Sequence, residues 1–85
     1  MRSFVLMSSV GCHLCEDAIA ILVQYMDPQQ HQVDEVDIAY DDQLMERYAT
    51  RIPVLVDELS GAELGWPFDP IQLQQFISQL EQDSD

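Results

Sequence analysis

The chain has no lysine, and its only cations besides two histidines are Arg2, Arg47 and Arg51. Sixteen carboxylates oppose them, giving a formal net charge of −13 at pH 7 over 85 residues. Phosphate backbones and anionic membrane surfaces repel such a chain, so neither nucleic acid nor membrane is expected as a partner. Long apolar runs are also missing. The N-terminal one, Phe4-Val5-Leu6-Met7, is too short for a signal sequence or a membrane span, and the chain is read as cytoplasmic. No repeat or low-complexity linker divides the sequence. Residues 1–85 are therefore expected to form one domain, with 81–85 as a frayed acidic tail. At 47% hydrophobic, the composition is that of a globular chain rather than a disordered one.

What remains is patterned. Phe4 to Met7 suits a strand buried on both faces, as in a parallel sheet. From Cys12 to about Met26 the spacing is helical, with Leu14, Ala18, Ile21, Leu22 and Tyr25 at steps of three and four. Asp27-Pro28 ends that helix, because the residue before a proline avoids helical dihedrals. Val33 to Ile38 reads as a second strand with Val36 and Ile38 on one face. Asp41 or Asp42 can cap a short helix reaching Tyr48. Pro53 to Val56 is a third strand led by its proline, and Ala62 to Trp66 returns antiparallel after the Ser60-Gly61 turn. Asp69-Pro70-Ile71-Gln72 starts a last helix: Asp69 caps it, Pro70 is its first residue, and Gln72 completes a capping box. Leu73, Phe76, Ile77 and Leu80 form its apolar stripe. The order βαβ–α–ββα predicts an α/β fold, a four-stranded mixed sheet flanked by three helices.

The chemistry centres on Cys12-His13-Leu14-Cys15, where the first strand meets the first helix. A Cys-x-x-Cys beside a βαβ pattern is a thioredoxin-like redox signal. At a helix N-terminus, unpaired N–H groups and the helix dipole favour a thiolate on Cys12. Cys15 lies one turn on and brings its sulfur back beside the first. One thiol attacks a substrate disulfide and the other resolves the mixed disulfide. Glu16 and Asp17 oppose the thiolate, so Cys12 is expected to be moderately rather than extremely activated. A purely structural disulfide would tie nothing distant together and stabilises by at most about 2 kcal/mol for so short a loop. The metal alternative would use Cys12, Cys15, His13 and His31, or a cluster between two chains, yet no second cysteine pair exists.

With these residues in place, the chain resembles the thioredoxin superfamily, and its glutaredoxin branch in particular. The resemblance rests on Gly11-Cys12-His13-Leu14-Cys15, on Arg51-Ile52-Pro53-Val54 some forty residues later, and on Gly65-Trp66-Pro67-Phe68-Asp69. Together these look like a glutaredoxin-like bacterial family of poorly defined role. The resemblance implies a thioredoxin/glutaredoxin-like fold and a cis Ile52–Pro53 peptide beside Cys12, where pattern alone would favour a trans proline opening an edge strand. It implies that the Ile52 backbone pairs with an extended substrate. Arg51 lies next to that place. It is read either as offsetting Glu16 or a substrate carboxylate, or as a solvated partner of any acid.

The match departs from glutathione-using glutaredoxins in several places. Ser9 stands where they carry a basic residue, Arg51-Ile52-Pro53 replaces Thr-Val-Pro, and Gly65 stands alone before the bulky Trp66-Pro67-Phe68. Asp69 falls where it could meet the glutathione amine, although capping already accounts for it. No cofactor is expected to be required, and glutathione is only a candidate thiol. Trp66 and Phe68 are read as packing, with an apolar rim around the dithiol as the alternative. Tyr25, Tyr40 and Tyr48 are expected in the core or half-buried, and Met7, Met26 and Met45 as core fillers. His31 is expected to be exposed, and His13 to face solvent, tuning the dithiol or standing by.

The expected function is thiol–disulfide exchange with Cys12 as nucleophile and Cys15 as resolving thiol. Its partners would be protein or small-molecule disulfides and a thiol reductase. The competing expectation is a binding module that holds a metal or iron–sulfur cluster, or presents an acidic surface without redox turnover.

Overall fold

The computed structural model describes residues 2–83, the side chain of residue 83 excepted. The elements run β1 (Arg2–Ser8), α1 (His13–Tyr25), β2 (His31–Asp37), α2 (Asp42–Tyr48), β3 (Val54–Asp57), β4 (Glu63–Gly65) and α3 (Pro70–Asp83). A 3-10 turn, Ile38–Tyr40, leads into α2. The strand order is β2-β1-β3-β4. β1 lies parallel to β2 and antiparallel to β3, and β3 lies antiparallel to β4. This is the mixed four-stranded sheet that the pattern predicts.

β1 takes an inner position because it is apolar on both faces. Leu6 pairs across to Leu55 and Met7 to Val54, so each face continues into β3. One face carries α1 and α3: Phe4, Leu6 and Leu55 pack with Ala18, Leu22, Leu73 and Ile77. The other carries the 3-10 turn and α2, where Ile38, Tyr48 and Val54 form a second cluster bordered by Met7, Leu44 and Ile52. Trp66 and Phe68 join the first core, ring to ring in a T-shaped contact at 5.1 Å, which favours their packing role.

Several expectations need correction. The inward stripe of α1 is Cys15, Ala18, Leu22 and Met26, whereas Leu14 and Tyr25 are exposed. The two stripes share Ala18 and Leu22, and Ile21 packs half-buried against the same core. Met26 closes the observed one, and Tyr25, one residue earlier, points about 100° away. Tyr40 and Met45 are exposed for a similar reason: Ile38 and Tyr48 already fill the second core from the same elements. His31 is not an exposed loop residue. It opens β2 opposite Arg2, and its ring lies 5.9 Å from that of Phe4 and 3.3 Å from the Glu81 carboxylate. α3 runs through Asp83, and Ser84 and Asp85 of the expected tail lie outside the described residues. Pro53 stands one residue before β3, an inner strand rather than an edge.

Caps follow the residue chemistry. Asp41 accepts the N–H groups of Gln43 and Leu44, and Asp42 falls inside α2. Asp69 accepts from the Gln72 N–H at 2.7 Å while the Gln72 side chain accepts from the Asp69 N–H at 3.0 Å, a closed capping box. Asp57 is a fully buried carboxylate that the sequence pattern does not flag. Arg2 donates to both its oxygens, at 3.0 and 2.8 Å, and Ser60 donates to it from backbone and hydroxyl.

Candidate functional site

β1 and β2 both end at one edge of the sheet, and the chain turns there through Ser9–Cys12. The Cys12 N–H donates to the Ser9 carbonyl at 3.3 Å, and Gly11 holds φ +81° at the third turn position. Cys12 then caps α1. Its Sγ accepts the N–H of Cys15 at 3.1 Å. The first helical residues, His13 and Leu14, have N–H groups with no carbonyl one turn behind them in α1. Cys12 and Cys15 form a disulfide across 5.2 Å between Cα atoms. Their environments differ: Cys15 is 2% exposed and Cys12 is half-buried.

Pro53 lies at the same end of the sheet. Met7 pairs with Val54, so the next residues along, Ser8 and Pro53, lie level with one another. The Ile52–Pro53 peptide is cis, and so is Trp66–Pro67, to which no pattern pointed. The Pro53 side chain is buried, and its carbonyl accepts the Trp66 N–H at 3.2 Å. The Tyr48 carbonyl takes the N–H groups of Arg51 and Ile52 at 2.8 and 3.1 Å, leaving Ile52 its carbonyl for any further pairing.

The remaining expected site residues separate. Arg51 does not meet Glu16. It donates to Glu63 on β4 at 2.6 Å, and Arg47 reaches the other Glu63 oxygen at 3.3 Å. The Tyr48 hydroxyl also donates to Glu63, and both guanidinium groups lie 5.2 Å from the Tyr48 ring. That hydroxyl bond, then the arginines, hold the Glu63 carboxyl below its ordinary range against the effect of its own burial. Burial, then the bond to Glu63, pushes the Tyr48 phenol up. His13 faces solvent, 4.0 Å from Glu16. Asp69 is occupied as the α3 cap.

A groove of about 370 Å³ opens beside the dithiol, lined by Cys12, Cys15, Glu16, Ile19, Glu35 and Asp37. The Ser8 hydroxyl, itself buried, donates to Glu35 at 2.8 Å. Nothing in the sequence marked Ser8 or Glu35. They meet only because β1 and β2 pair in parallel. No group of three histidine, cysteine or acidic residues able to hold a metal occurs among the described residues. His31 begins β2 and Asp37 ends it, about 20 Å apart at strand rise, so His31 does not reach the dithiol edge. No helix among the described residues is long and apolar enough to cross a membrane.

Three solved structures place this architecture among known ones. The chain is similar to protein XcR50 from X. campestris, an X-ray structure, with 34% identity, a TM-score of 0.79, and 89% of this chain and 96% of that one covered. It is also similar to Ne2328 from Nitrosomonas europaea, solved by NMR, with 28% identity, a TM-score of 0.75, and 88% and 89% coverage. A malarial protein with 13% identity and a TM-score of 0.61, over 93% and 96% of the chains, shares the fold alone. No curated protein matches. Residues 3–78 match the family model described as Glrx-like: Glutaredoxin-like domain (DUF836), and the chain belongs to that family.

Proposed function

We propose that this protein is a thiol–disulfide oxidoreductase in which Cys12 attacks and Cys15 resolves. The observation that carries the reading is the unequal setting of two bonded sulfurs: Cys12 is half-open at a helix N-terminus, and Cys15 is buried one turn behind it. In the reduced protein the Cys12 thiolate attacks one sulfur of a substrate disulfide. A mixed disulfide forms, and the other substrate sulfur leaves as a thiolate that takes up a proton. Cys15, as thiolate, then attacks Cys12 Sγ, forms the Cys12–Cys15 disulfide and releases the second substrate thiol. Two electrons pass to the substrate. A thiol or dithiol reductant must return them, as a reducing compartment such as the cytoplasm supplies.

The Cys15 N–H at 3.1 Å, with the free first-turn amides, stabilises negative charge on Cys12. Glu16, Glu35 and Asp37 in the same groove oppose it. The Ile52 carbonyl offers an extended substrate one backbone acceptor at this end of the sheet, a single-bond form of strand addition. Glutathione is not required by this scheme, because any sufficiently reducing thiol or dithiol can return the two electrons. Asp69, its candidate contact here, is already bonded within the fold as the α3 cap. The test is turnover of bis(2-hydroxyethyl) disulfide with dithiothreitol as donor. Cys12→Ser should abolish it, and Cys15→Ser should accumulate a mixed disulfide visible by mass. A wild-type protein inert towards small and protein disulfides alike overturns the reading.

A further inference from the structure

A second depression adjoins the dithiol groove and is not used by the exchange chemistry. It measures about 480 Å³ and lies on the α2 side of the Ser9–Val10 loop. Ile38 floors it, and Val10, Tyr40, Met45 and Ile52 shape its walls. Val10 and Tyr40 are each 88% exposed and Met45 is 40% exposed, although all three are apolar or aromatic. Ser9, Val10 and Asp37 line both depressions, so only the loop that delivers Cys12 separates them. Exposed apolar groups clustered beside a reactive centre mark a contact surface more often than a random scatter does.

The charged side chains that line the two depressions are of one sign. Arg2 is bonded to Asp57, and Arg47 and Arg51 are both bonded to Glu63. None of the three lines the dithiol groove, where Glu16, Glu35 and Asp37 stand. A polypeptide whose cysteine reaches Cys12 while its backbone passes the Ile52 carbonyl lays a neighbouring residue over the apolar depression. A small anionic disulfide has no side chain to place there, and its carboxylates face like charge.

We infer that the Val10–Tyr40–Met45–Ile52 depression receives an apolar side chain next to the reactive cysteine of a cationic polypeptide disulfide. This rests on the dithiol reading above and names the substrate class for it. Burial of the side chain discriminates by shape, and the acidic surround by charge.

The experiment uses four synthetic peptides, each with one cysteine held as a disulfide with 2-mercaptoethanol. The flanks are lysine-rich or glutamate-rich, and the residue beside the cysteine is leucine or serine. Oxidation of the reduced full chain is followed at low and high salt. The lysine–leucine peptide should react about tenfold faster than the glutamate–leucine peptide at low salt, and the gap should shrink in 0.5 M sodium chloride. Leucine should outpace serine about tenfold at either salt. Tyr40→Ser and Met45→Ser, both at exposed positions, should lose the leucine preference and keep the wild-type rate on bis(2-hydroxyethyl) disulfide. Turnover of that small disulfide without peptide preference, or a leucine preference surviving in both variants, overturns this proposal alone. No turnover of the small disulfide overturns the dithiol reading and this proposal with it.

Discussion

The backbone N–H of Cys15 donates to Sγ of Cys12 at 3.1 Å, so the buried member of the pair stabilises charge on the open one. Reduced protein treated with iodoacetamide at neutral pH should therefore be alkylated at Cys12 before Cys15, by tenfold or more in rate. Glu16 lies in the same groove and opposes the thiolate. Glu16→Gln should raise the alkylation rate of Cys12 below neutral pH by about twofold to fivefold, and 1 M salt should erase the gain. Peptide mapping after timed quenching reads both effects. Equal labelling of the two cysteines would remove the nucleophile assignment.

The local signals of this site were legible because their partners sit a few residues apart. Cys12 and Cys15 are one helical turn apart, and Asp69 and Gln72 are a capping box at fixed offset. The element order was legible too, because the switch between strand and helix periods is a local property. What escaped depends on residues that only the sheet brings together. Arg2 meets Asp57 across 55 positions, and Ser8 meets Glu35 across 27. His31 sits in a polar stretch and reads as solvent-facing until β2 pairs with β1 and lays it on Phe4. Arg51 had many acids to choose from, and the β3–β4 hairpin chose Glu63. The phase of α1 was ambiguous because two neighbouring stripes share Ala18 and Leu22.

The Arg2–Asp57 pair gives the fold a pH dependence of known sign. Burial alone would raise the Asp57 carboxyl, but Arg2 and the Ser60 donors outweigh it and hold the group below its ordinary value. A depressed folded value means the unfolded chain binds the proton more readily. The stabilisation is thus complete above about pH 5 and is lost as pH falls through the ordinary carboxylate range and below. Glu63 acts in the same direction. Arg2→Ala leaves a buried carboxylate with only Ser60 and should cost about 2–4 kcal/mol at pH 7. It should also flatten the acid limb of the stability curve. Urea midpoints between pH 3 and 7 test both expectations, and an unchanged acid limb in Arg2→Ala would refute the assignment.

Asp69 separates capping from ligand contact. As the α3 cap it should contribute about 1 kcal/mol, so Asp69→Ala should lower stability by that amount and Asp69→Ser by much less. Neither variant should change the KM for glutathione mixed disulfides. A raised KM with unchanged stability would assign Asp69 to the tripeptide instead. The two readouts, a denaturation midpoint and a KM, respond to different physical roles and cannot exchange places.

Gly11 tests whether the turn before Cys12 matters through its backbone or through space. Its φ of +81° lies where a side chain is strained, and a Cβ built there meets no atom within 4 Å. The cost of Gly11→Ala is therefore backbone strain alone, about 1–2 kcal/mol, with no clash to add. The turn can relieve part of that strain by lengthening the 3.3 Å bond from the Cys12 N–H to the Ser9 carbonyl. That bond positions the residue whose sulfur caps α1. Gly11→Ala should thus lower the exchange rate of Cys12 more than a distant substitution of equal destabilisation, such as Gly61→Ala at φ +79° in the β3–β4 turn. Comparing the two variants at matched folded fraction isolates the effect, and equal exchange rates would show that the turn holds the chain but not the sulfur.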